Sequence, residues 1–341
     1  MVRIRKGPSK TISIEDVARL AGVSITTVSR VINKIPSVKA KNRLKVQEAI
    51  KELKFEPSVF AQRLATGKSN VVALVIPRYE GIFYSFYALE LIRGIGTLCS
   101  ALKLDLLLRL ADSSSPLNLK GAGGIIFADI ISNRSQLIEA LDNHIPSIVI
   151  NNYVKDLEVS CISIDNEGGA ESAVNYLISL GHRKIAHITG DLITQAAAQR
   201  LQGYKKALEK NKLPVSDDYI VKTDYSRGQA RSAAEKLFKM PNPPTAVFVS
   251  SDSMALEVMA LVKELDKDVP KDLSIVGFDD NPSGLYGPVA LTTVRQPLVK
   301  MAQESVKELS LLMKAQKPQS PKKIVLPTEL VIRESCRPLK I

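Results

Sequence analysis

The spacing of apolar residues from Asn70 onward predicts alternating strands and helices. Runs that are apolar at nearly every position predict strands buried on both faces, and apolar residues three or four apart predict helices. The predicted strands are 71–76, 106–110, 124–127, 148–150, 162–164, 185–189, about 219–223, 246–249 and 274–278. The predicted helices are 87–102, 168–180, 197–210, 228–239 and 253–265.

Alternating strands and helices indicate an α/β fold with parallel sheets wound by helices. The number of predicted strands indicates two such lobes. The chain has 341 residues, of which 45% are hydrophobic, so it is long enough to build large cores. Because this length exceeds what a single core usually supports, we expect two or three domains.

Residues 11–33 follow a different pattern, that of two short helices joined by a tight turn. The apolar positions of the first helix are Ile14, Val17, Ala18 and Ala21. Ser13 and Asp16 form a capping-box pattern at its start. Gly22 can adopt the left-handed conformation that the turn requires.

The second of these helices has an outward face suited to reading DNA. Ser24 can cap it, and its inward positions are Val28, Val31 and Ile32. Its outward positions are Ile25, Thr26, Ser29, Arg30 and Asn33. Polar and basic side chains at the start of such a helix reach base edges in a major groove, so the pattern predicts a DNA-binding helix-turn-helix. The alternative is two amphipathic helices of a larger core.

A third helix follows, and its apolar face is sufficient to close a three-helix headpiece near Phe55. That face consists of Val46, Ala49, Ile50 and Leu53. Pro57 then ends the headpiece, and residues 58–65 form a short segment that is capable of helix formation.

Positive charge is concentrated in this N-terminal region. Residues 1–68 contain 15 Lys and Arg against 5 Asp and Glu, which gives +10 of the formal net charge of +12. The other 273 residues contain 32 basic against 30 acidic side chains and are nearly neutral. A localised excess of this kind is expected for contacts to DNA phosphates.

Other features argue against several classes of protein. No apolar run reaches membrane-spanning length, and no apolar stretch follows the basic N-terminus as in a secretory signal, so we expect a cytoplasmic protein. Cys99, Cys161 and Cys336 form neither a metal-ligand spacing nor a disulfide framework. GAGG at 121–124 lacks the P-loop lysine. The histidines at 144, 182 and 187 have no partners in a catalytic motif, so no enzyme, metal or cofactor site is predicted.

The chain resembles the lactose/galactose repressor (LacI/GalR) family from about residue 11 to residue 338. The headpiece matches in the form DVARLAGVS-x-TTVSRVIN. Later matching segments, in order, are GHRKIAHITG, RLQGYKKAL, VPKDLSIVGFDD, LTTVRQP and LPTELVIRES. Several independent motifs in the same order make chance similarity very improbable.

This resemblance implies a headpiece at 1–56, a hinge helix and linker at 57–68, and a periplasmic-binding-protein-like domain at 69–341. The first lobe would comprise about 69–162 and 292–324, and the second about 163–291 and 325–341. Leu64 matches the residue that inserts between base pairs in the central minor groove, and Ala61 lies where two hinge helices approach. An ordinary polar linker is the alternative for this segment.

The resemblance also implies a ligand site between the lobes, near the carboxyl ends of their strands. Arg200 matches an arginine that binds effector oxygens, and Asp279 an acid that accepts from sugar hydroxyls. The alternative is a structural ion pair between the two. Ser251, Asn151 and Tyr87 are further expected effector contacts, and Tyr87 could stack on a sugar ring or be a core residue. Each differs from the residue that is usual in the family, so the identity of the ligand is not implied.

The connection after the predicted strand 106–110 departs from the family pattern. ADSSSPLNLK is roughly ten residues shorter than expected, and a parallel crossover normally needs a dozen or more. We therefore expect a lost helix, an exposed sheet face or a rearranged dimer surface.

The expected function is a dimeric repressor that binds a palindromic operator in double-stranded DNA and is released by a small sugar. Only three residues follow Pro338, so a leucine-heptad tail for tetramer formation is not expected. A corepressor-dependent regulator, with a purine-like ligand or a phosphorylated partner protein, is the alternative. A solute-binding protein and a sugar-modifying enzyme are less favoured.

Overall fold

The structure of the chain is a computed structural model that describes residues 12–32, 35–55, 69–78, 82–112, 116, 121–131 and 133–339. The chain divides into two compact units, Met1–Asn70 and Val71–Ile341. Asn33, Ala61, Leu64 and the predicted hinge at 57–68 lie outside the described residues. Within the described part, no helix has the length and apolar character needed to cross a membrane.

The described residues of the N-terminal unit form three helices around a small apolar core. They are α1 (Ile14–Ala21), α2 (Ile25–Ile32) and α3 (Ala40–Leu53). Ser13 and Asp16 make both hydrogen bonds of the predicted capping box, and Gly22 has φ 61°. The buried core residues are Val17, Ala18, Ala21, Val28, Val46 and Ala49. The predicted caps, turn and apolar faces of the headpiece are thus confirmed.

The second unit contains two six-stranded sheets. The first sheet consists of β1 (Val71–Pro77), β2 (Asp105–Ala111), β3 (Gly124–Ala128), β4 (Ser147–Ile150), β5 (Ser160–Ile164) and β11 (Lys323–Leu326). The second consists of β6 (Ile185–Ile188), β7 (Ile220–Val221), β8 (Ala246–Val249), β9 (Ser274–Asp279), β10 (Thr292–Arg295) and β12 (Glu329–Val331). The strand orders are β11-β5-β4-β3-β1-β2 and β12-β10-β9-β8-β6-β7. Among the described strands, only β12 runs antiparallel to its neighbour, so the predicted α/β fold with parallel sheets is confirmed.

Helices pack on both sheets and define two lobes. Those of the first lobe are α4 (Phe86–Ala101), α5 (Arg134–Asp142) and α10 (Leu298–Lys314). Those of the second are α6 (Asn166–Ser179), α7 (Gln195–Lys210), α8 (Arg227–Phe238) and α9 (Asp252–Glu264). The sequence pattern did not predict α5 and α10.

The chain crosses between the lobes after β5, after β10 and after β11. Strand β10 pairs with β9 and β12, so it belongs to the second sheet. We expected a crossing near 291, which assigned 292–295 to the first lobe. The hydrogen bonds of β10 move that crossing to the C-terminal side of Arg295.

Alternate side chains of the edge strand β2 are exposed to solvent. No helix occurs at residues 112, 116 and 121–123, the described part of the connection. Side chains of β2 alternate in exposure, and Leu107 on the outer face is 37% exposed. An exposed sheet face agrees with the described residues of β2, and the lost helix and the rearranged dimer surface stay predictions.

Close packing of α6 on α7 depends on Gly203. A Cβ at this position would lie 2.2 Å from the carbonyl oxygen of Glu167. We expect Gly203→Ala to lower the free energy of unfolding by about 2 kcal/mol, because the helices must separate to admit a methyl group. Chemical denaturation measures this. Gly228→Ala in α8 is the control, since its Cβ would contact nothing within 4 Å. Equal effects of the two substitutions would contradict the packing argument.

Candidate functional site

The exposed face of α2 is the candidate DNA-reading surface. Ser24, Ile25, Thr26 and Arg30 are exposed, and Ser29 is partly buried. The Oγ of Ser24 accepts a hydrogen bond from the Thr27 amide at 3.2 Å, so this hydroxyl caps α2 as predicted. Arg30 forms no ion pair with any described residue, which leaves its guanidinium available for an external acceptor. Ile25 at the start of α2 suits a thymine methyl group, and Arg30 in its last turn suits a guanine edge.

The second candidate site lies between the lobes of the second unit. The carboxyl ends of the parallel strands of both sheets carry polar residues there. Asn151 follows β4, Ser251 follows β8, and Asp279 is the last residue of β9. Arg200 is on the second turn of α7. The structure therefore places Asn151, Ser251 and Asp279 at the strand ends where ligands of such sheets bind.

Arg200 is almost fully buried and held in place by neutral groups. Its Nε donates to Oδ1 of Asn166 at 2.9 Å, and its Nη1 donates to the carbonyl oxygen of Ser250 at 2.6 Å. The guanidinium lies 3.8 Å from the centre of the Phe278 ring. Within the described part of the chain, no oxygen accepts from Nη2. Part of a buried, charged donor group is therefore available to a ligand.

Asp279 lies on the same lobe as Arg200 and is not paired with it. Its carboxylate accepts from the side chain of Gln296 and from the backbone amide of Asp252 at 3.3 Å. Burial raises the pKa of Asp279 to about 6, although the charge of Arg200 lowers it. The alternative of a structural Arg200–Asp279 ion pair is therefore not supported.

The adjacent acidic residues have structural roles. Asp252 accepts from the Thr293 hydroxyl at 2.6 Å and from the Asn281 amide at 2.7 Å, so it fixes the segment after β9. Burial, followed by the nearby charge of Asp279, raises the pKa of Asp252 to about 8. Asp280 points instead towards Arg295, whose Nε lies 2.6 Å from its carboxylate.

The first lobe contributes a carboxylate that the sequence analysis did not identify. Asp129 follows β3, and its Oδ1 accepts from Nδ2 of Asn151 at 2.8 Å. Burial raises the pKa of Asp129 to about 6, while hydrogen bonds from Tyr87 and Asn151 lower it. Tyr87 packs its ring against the core, so its hydroxyl rather than a free ring face is directed to this site. A polar residue directly after the apolar strand was the available sequence signal.

Two serines follow β8, and only one leaves its hydroxyl unpartnered. Ser251, which we predicted as an effector contact, caps α9 by accepting from the Met254 amide at 3.4 Å. The buried Oγ of Ser250 forms no hydrogen bond with the described residues. The hydroxyl of Ser250, rather than that of Ser251, is therefore available to form a hydrogen bond with a ligand hydroxyl.

Tyr225 has an unusual backbone conformation and lies beside the same strand ends. Its φ of 68° is in the left-handed region, and its ring lies against Gly190. A Cβ on Gly190 would come within 2.0 Å of that ring. Burial raises the pKa of the Tyr225 hydroxyl, which is near Thr194 and is influenced by Arg200 and both cleft carboxylates. No local sequence pattern predicted this placement.

Two hydrogen bonds between the side chain of Gln195 and the backbone of Tyr153 connect the lobes. The side-chain amide of Gln195, the first residue of α7, accepts from the Tyr153 amide at 2.6 Å. It also donates to the Tyr153 carbonyl oxygen at 3.2 Å. Because Tyr153 follows β4 in the first lobe, these hydrogen bonds hold the two lobes together beside the cleft.

We expect Gln195→Ala to shift the lobes towards an open arrangement and to weaken ligand binding about tenfold, because two hydrogen bonds of about 0.5–1.5 kcal/mol each are lost on closure. Isothermal titration with the effector and small-angle scattering measure the two effects. Gln202→Ala, an exposed position on the same helix, is the control and should leave both unchanged. Unaltered affinity in Gln195→Ala would disprove the role of this contact.

Two buried histidines are structural. His182 lies 2.9 Å from Oγ1 of Thr245 and 3.0 Å from Oγ of Ser274, which joins α6 to the second sheet. His187 stacks on Phe248 with ring centres 4.6 Å apart. These positions agree with the interpretation of GHRK as a turn between a helix and a strand.

Two family models match the chain. The model of bacterial regulatory proteins of the lacI family matches residues 13–58, and that of a periplasmic binding protein-like domain matches residues 174–336. The matches coincide with the helical headpiece and with most of the second lobe together with α10 and β11.

Known relatives and solved structures match over nearly the full length. Catabolite control protein A of Priestia megaterium is 34% identical, with 96% of this chain and 99% of that protein covered. The probable HTH-type transcriptional repressor ExuR of Bacillus subtilis (strain 168) is 32% identical with the same coverage. The lac repressor dimer bound to operator and the anti-inducer ONPF has a TM-score of 0.83, with 27% identity over 96% of this chain and all of that chain.

A complex of the transcriptional regulator CelR with cellobiose has a TM-score of 0.72 and 28% identity, over 95% of this chain and 99% of that chain. The headpiece, the two-lobed domain and their order along the chain are thus shared with these regulators. The chain belongs to the LacI family of bacterial regulatory proteins.

Proposed function

We propose that this protein is a dimeric transcriptional repressor that leaves a palindromic operator when a small sugar binds between its lobes. The observation that carries this proposal is the combination of an exposed reading face on α2 with buried, unpartnered polar atoms between the lobes. A repressor of this kind acts on chromosomal DNA, so we place it in the bacterial cytoplasm.

The reading face supports binding through the major groove. Ile25, Thr26 and Arg30 are exposed at the start and along the outer face of α2, where base edges are reached. Two headpieces of a dimer would read two half-sites related by the operator's symmetry. Leu64 and Ala61 of the hinge segment would act at the central minor groove, as the resemblance implies.

The strand ends between the lobes support a small polar ligand. Buried polar atoms without hydrogen-bond partners are rare in folded proteins. Three such atoms belong to residues that directly follow strands of the two lobes beside this cleft. They are the side-chain oxygens of Asn151, Ser250 and Gln296. A relative, CelR, is found with cellobiose, which makes a carbohydrate the favoured ligand class.

Coupling between ligand and DNA requires that the ligand favour one arrangement of the lobes. A ligand that contacts both Asn151 and Arg200 binds one arrangement better than another, because these residues belong to different lobes. A coupling free energy of about 1–3 kcal/mol would change operator affinity roughly 5–150-fold.

Operator binding at fixed salt, with and without neutral sugars and purines, tests this function. The operator is first selected from random duplexes with the full-length protein. Release by one sugar supports the inducible repressor and identifies its effector. Tighter binding with a purine, or a response only to a phosphorylated protein, would replace it with the corepressor-dependent regulator.

A further inference from the structure

Asp129 is held in its position by backbone contacts that do not involve its carboxylate. Its amide donates to the carbonyl oxygen of Ile150 at 3.1 Å, and its own carbonyl accepts from Nδ2 of Asn133 at 3.2 Å. Its φ of 63° is one that glycine or asparagine also adopts readily. The backbone conformation at Asp129 therefore does not require an acidic side chain.

The carboxylate of Asp129 has neutral neighbours in its own lobe. Asn151 donates to it at 2.8 Å, and the Tyr87 hydroxyl is directed to it. It forms no ion pair with any described residue. Arg200, on the opposite lobe, is close enough to influence its charge but donates no hydrogen bond to it. An ionised group in this environment is costly unless a further partner binds.

Asp279 faces the same cleft from the other lobe. It too forms no ion pair among the described residues and accepts only from neutral donors. Asp129 follows β3, Asp279 ends β9, and Arg200 donates to the Ser250 carbonyl oxygen directly after β8, so all three lie at the strand ends that border the cleft. Two carboxylates and one guanidinium give this space a formal charge of −1 at neutral pH when all three are ionised.

The unpartnered atoms of the cleft are mainly acceptors. Asn151 is 7% exposed and Gln296 is 8% exposed, and the side-chain oxygen of each lacks a donor. Together with the two carboxylates, they outnumber the available donors, Nη2 of Arg200 and the hydroxyl of Ser250. Hydroxyl groups of a ligand supply donors to such acceptors, whereas carboxylate and phosphate groups supply only acceptors and additional negative charge.

We propose that Asp129, opposite Asp279, selects an uncharged polyhydroxylated ligand and rejects acidic or phosphorylated sugars. This inference rests on the proposed function in that the cleft holds the effector. Asp129 accepts ligand hydroxyls in the first lobe while Asn151 orients its carboxylate. Arg200 donates to the same ligand from the second lobe, where Asp279 accepts further ligand hydroxyls, so acceptors of both lobes contact the bound molecule.

The test compares matched neutral and anionic compounds on the full-length protein. Thermal shift identifies ligands among neutral mono- and disaccharides, the corresponding uronic acids and the corresponding sugar phosphates, and titration calorimetry measures their affinities. We expect binding by at least one neutral compound and at least about tenfold weaker binding by its anionic counterparts, equivalent to about 1.4 kcal/mol. Tighter binding by an anionic compound overturns this inference alone.

Asp129→Asn removes the charge and can keep the hydrogen bond from Asn151. We expect it to weaken binding of the neutral ligand at least about tenfold, because hydrogen bonds to charged groups are the stronger ones. Asp218→Asn, at an exposed carboxylate of the second lobe, is the control and should bind as the unmodified protein does. Unchanged affinity in Asp129→Asn would overturn the inference.

Stability of the ligand-free variant separates a binding role from a structural one. Burial raises the folded-state pKa of Asp129 to about 6, above its ordinary value, so ionisation destabilises the folded protein at neutral pH. Asp129→Asn should therefore raise the melting temperature at pH 7, and this gain should disappear as the pH falls through 6 towards 4. A purely structural carboxylate would instead leave a less stable variant.

Failure of the proposed function gives a different result. If no compound of any class binds, both the effector proposal and this inference are wrong, while operator binding by the headpiece is unaffected. If a neutral sugar binds but does not release the operator, the selectivity of the cleft stands and the inducible mechanism fails.

Discussion

Arg200→Lys is expected to abolish the response to the effector while operator binding is retained. Lysine keeps the charge but cannot reach Asn166, the Ser250 carbonyl oxygen and a ligand with one planar group. Loss of two charged hydrogen bonds to the ligand, each about 1.5–3 kcal/mol, predicts at least about 150-fold weaker binding. Calorimetry with the sugar that releases the operator measures this loss.

Arg227→Lys is the matched control for Arg200. Arg227 is exposed at the start of α8, so the same substitution should leave ligand affinity and operator release unchanged. The headpiece is a separate compact unit, and both variants should therefore bind operator as the unmodified protein does in the absence of ligand. Normal ligand affinity in Arg200→Lys would disprove the proposed role of this residue.

Arg30→Ala is expected to relax discrimination between operator sequences by up to about 3 kcal/mol, or roughly 150-fold. The side chain is exposed on α2 and has no ion-pair partner among the described residues, so it can form a bidentate hydrogen bond to a guanine. Competition binding at fixed salt, with single base-pair changes across the selected operator, locates the position at which preference is lost.

Lys51→Ala is the control for Arg30. This exposed lysine lies in the last turn of α3 and not on the reading helix α2, so its loss should have a small effect that is similar for all sequences. If Arg30→Ala weakens binding equally to every sequence, Arg30 contacts phosphate and another residue of α2 reads the bases. Effector affinity should be unchanged in both variants.

The fold was largely predictable because most of its elements carry a strong local pattern. All nine predicted strands and all five predicted helices of the second unit are present, with shifts of a few residues at their ends. Helix α10 was missed although its buried residues recur at helical spacing, as in Leu298, Met301, Ala302 and Leu309. Helix α5 was missed because it is short and only Gln136, Leu137 and Ala140 are buried on it.

The cleft was less predictable, because the family resemblance indicated which positions contact a ligand but not which hydrogen bonds their side chains form. Arg200 and Asp279 were expected to bind ligand or to pair with each other, and the structure shows that they do not pair. Ser251 caps a helix, and the unpartnered hydroxyl belongs to Ser250. Asp129, Gln195 and Tyr225 carry no motif. Their placement follows from strand and helix ends that are distant in sequence.

The sequence by itself determined the headpiece, the α/β class and the family. These features rest on interactions between near neighbours, such as the capping box of Ser13 and Asp16 and the turn at Gly22, so their patterns are readable locally. Only the tertiary structure decided which polar atoms remain without partners. Asp129 follows β3 in one lobe and Asp279 ends β9 in the other, and tertiary packing buries both carboxyl groups, which raises the pKa of each to about 6.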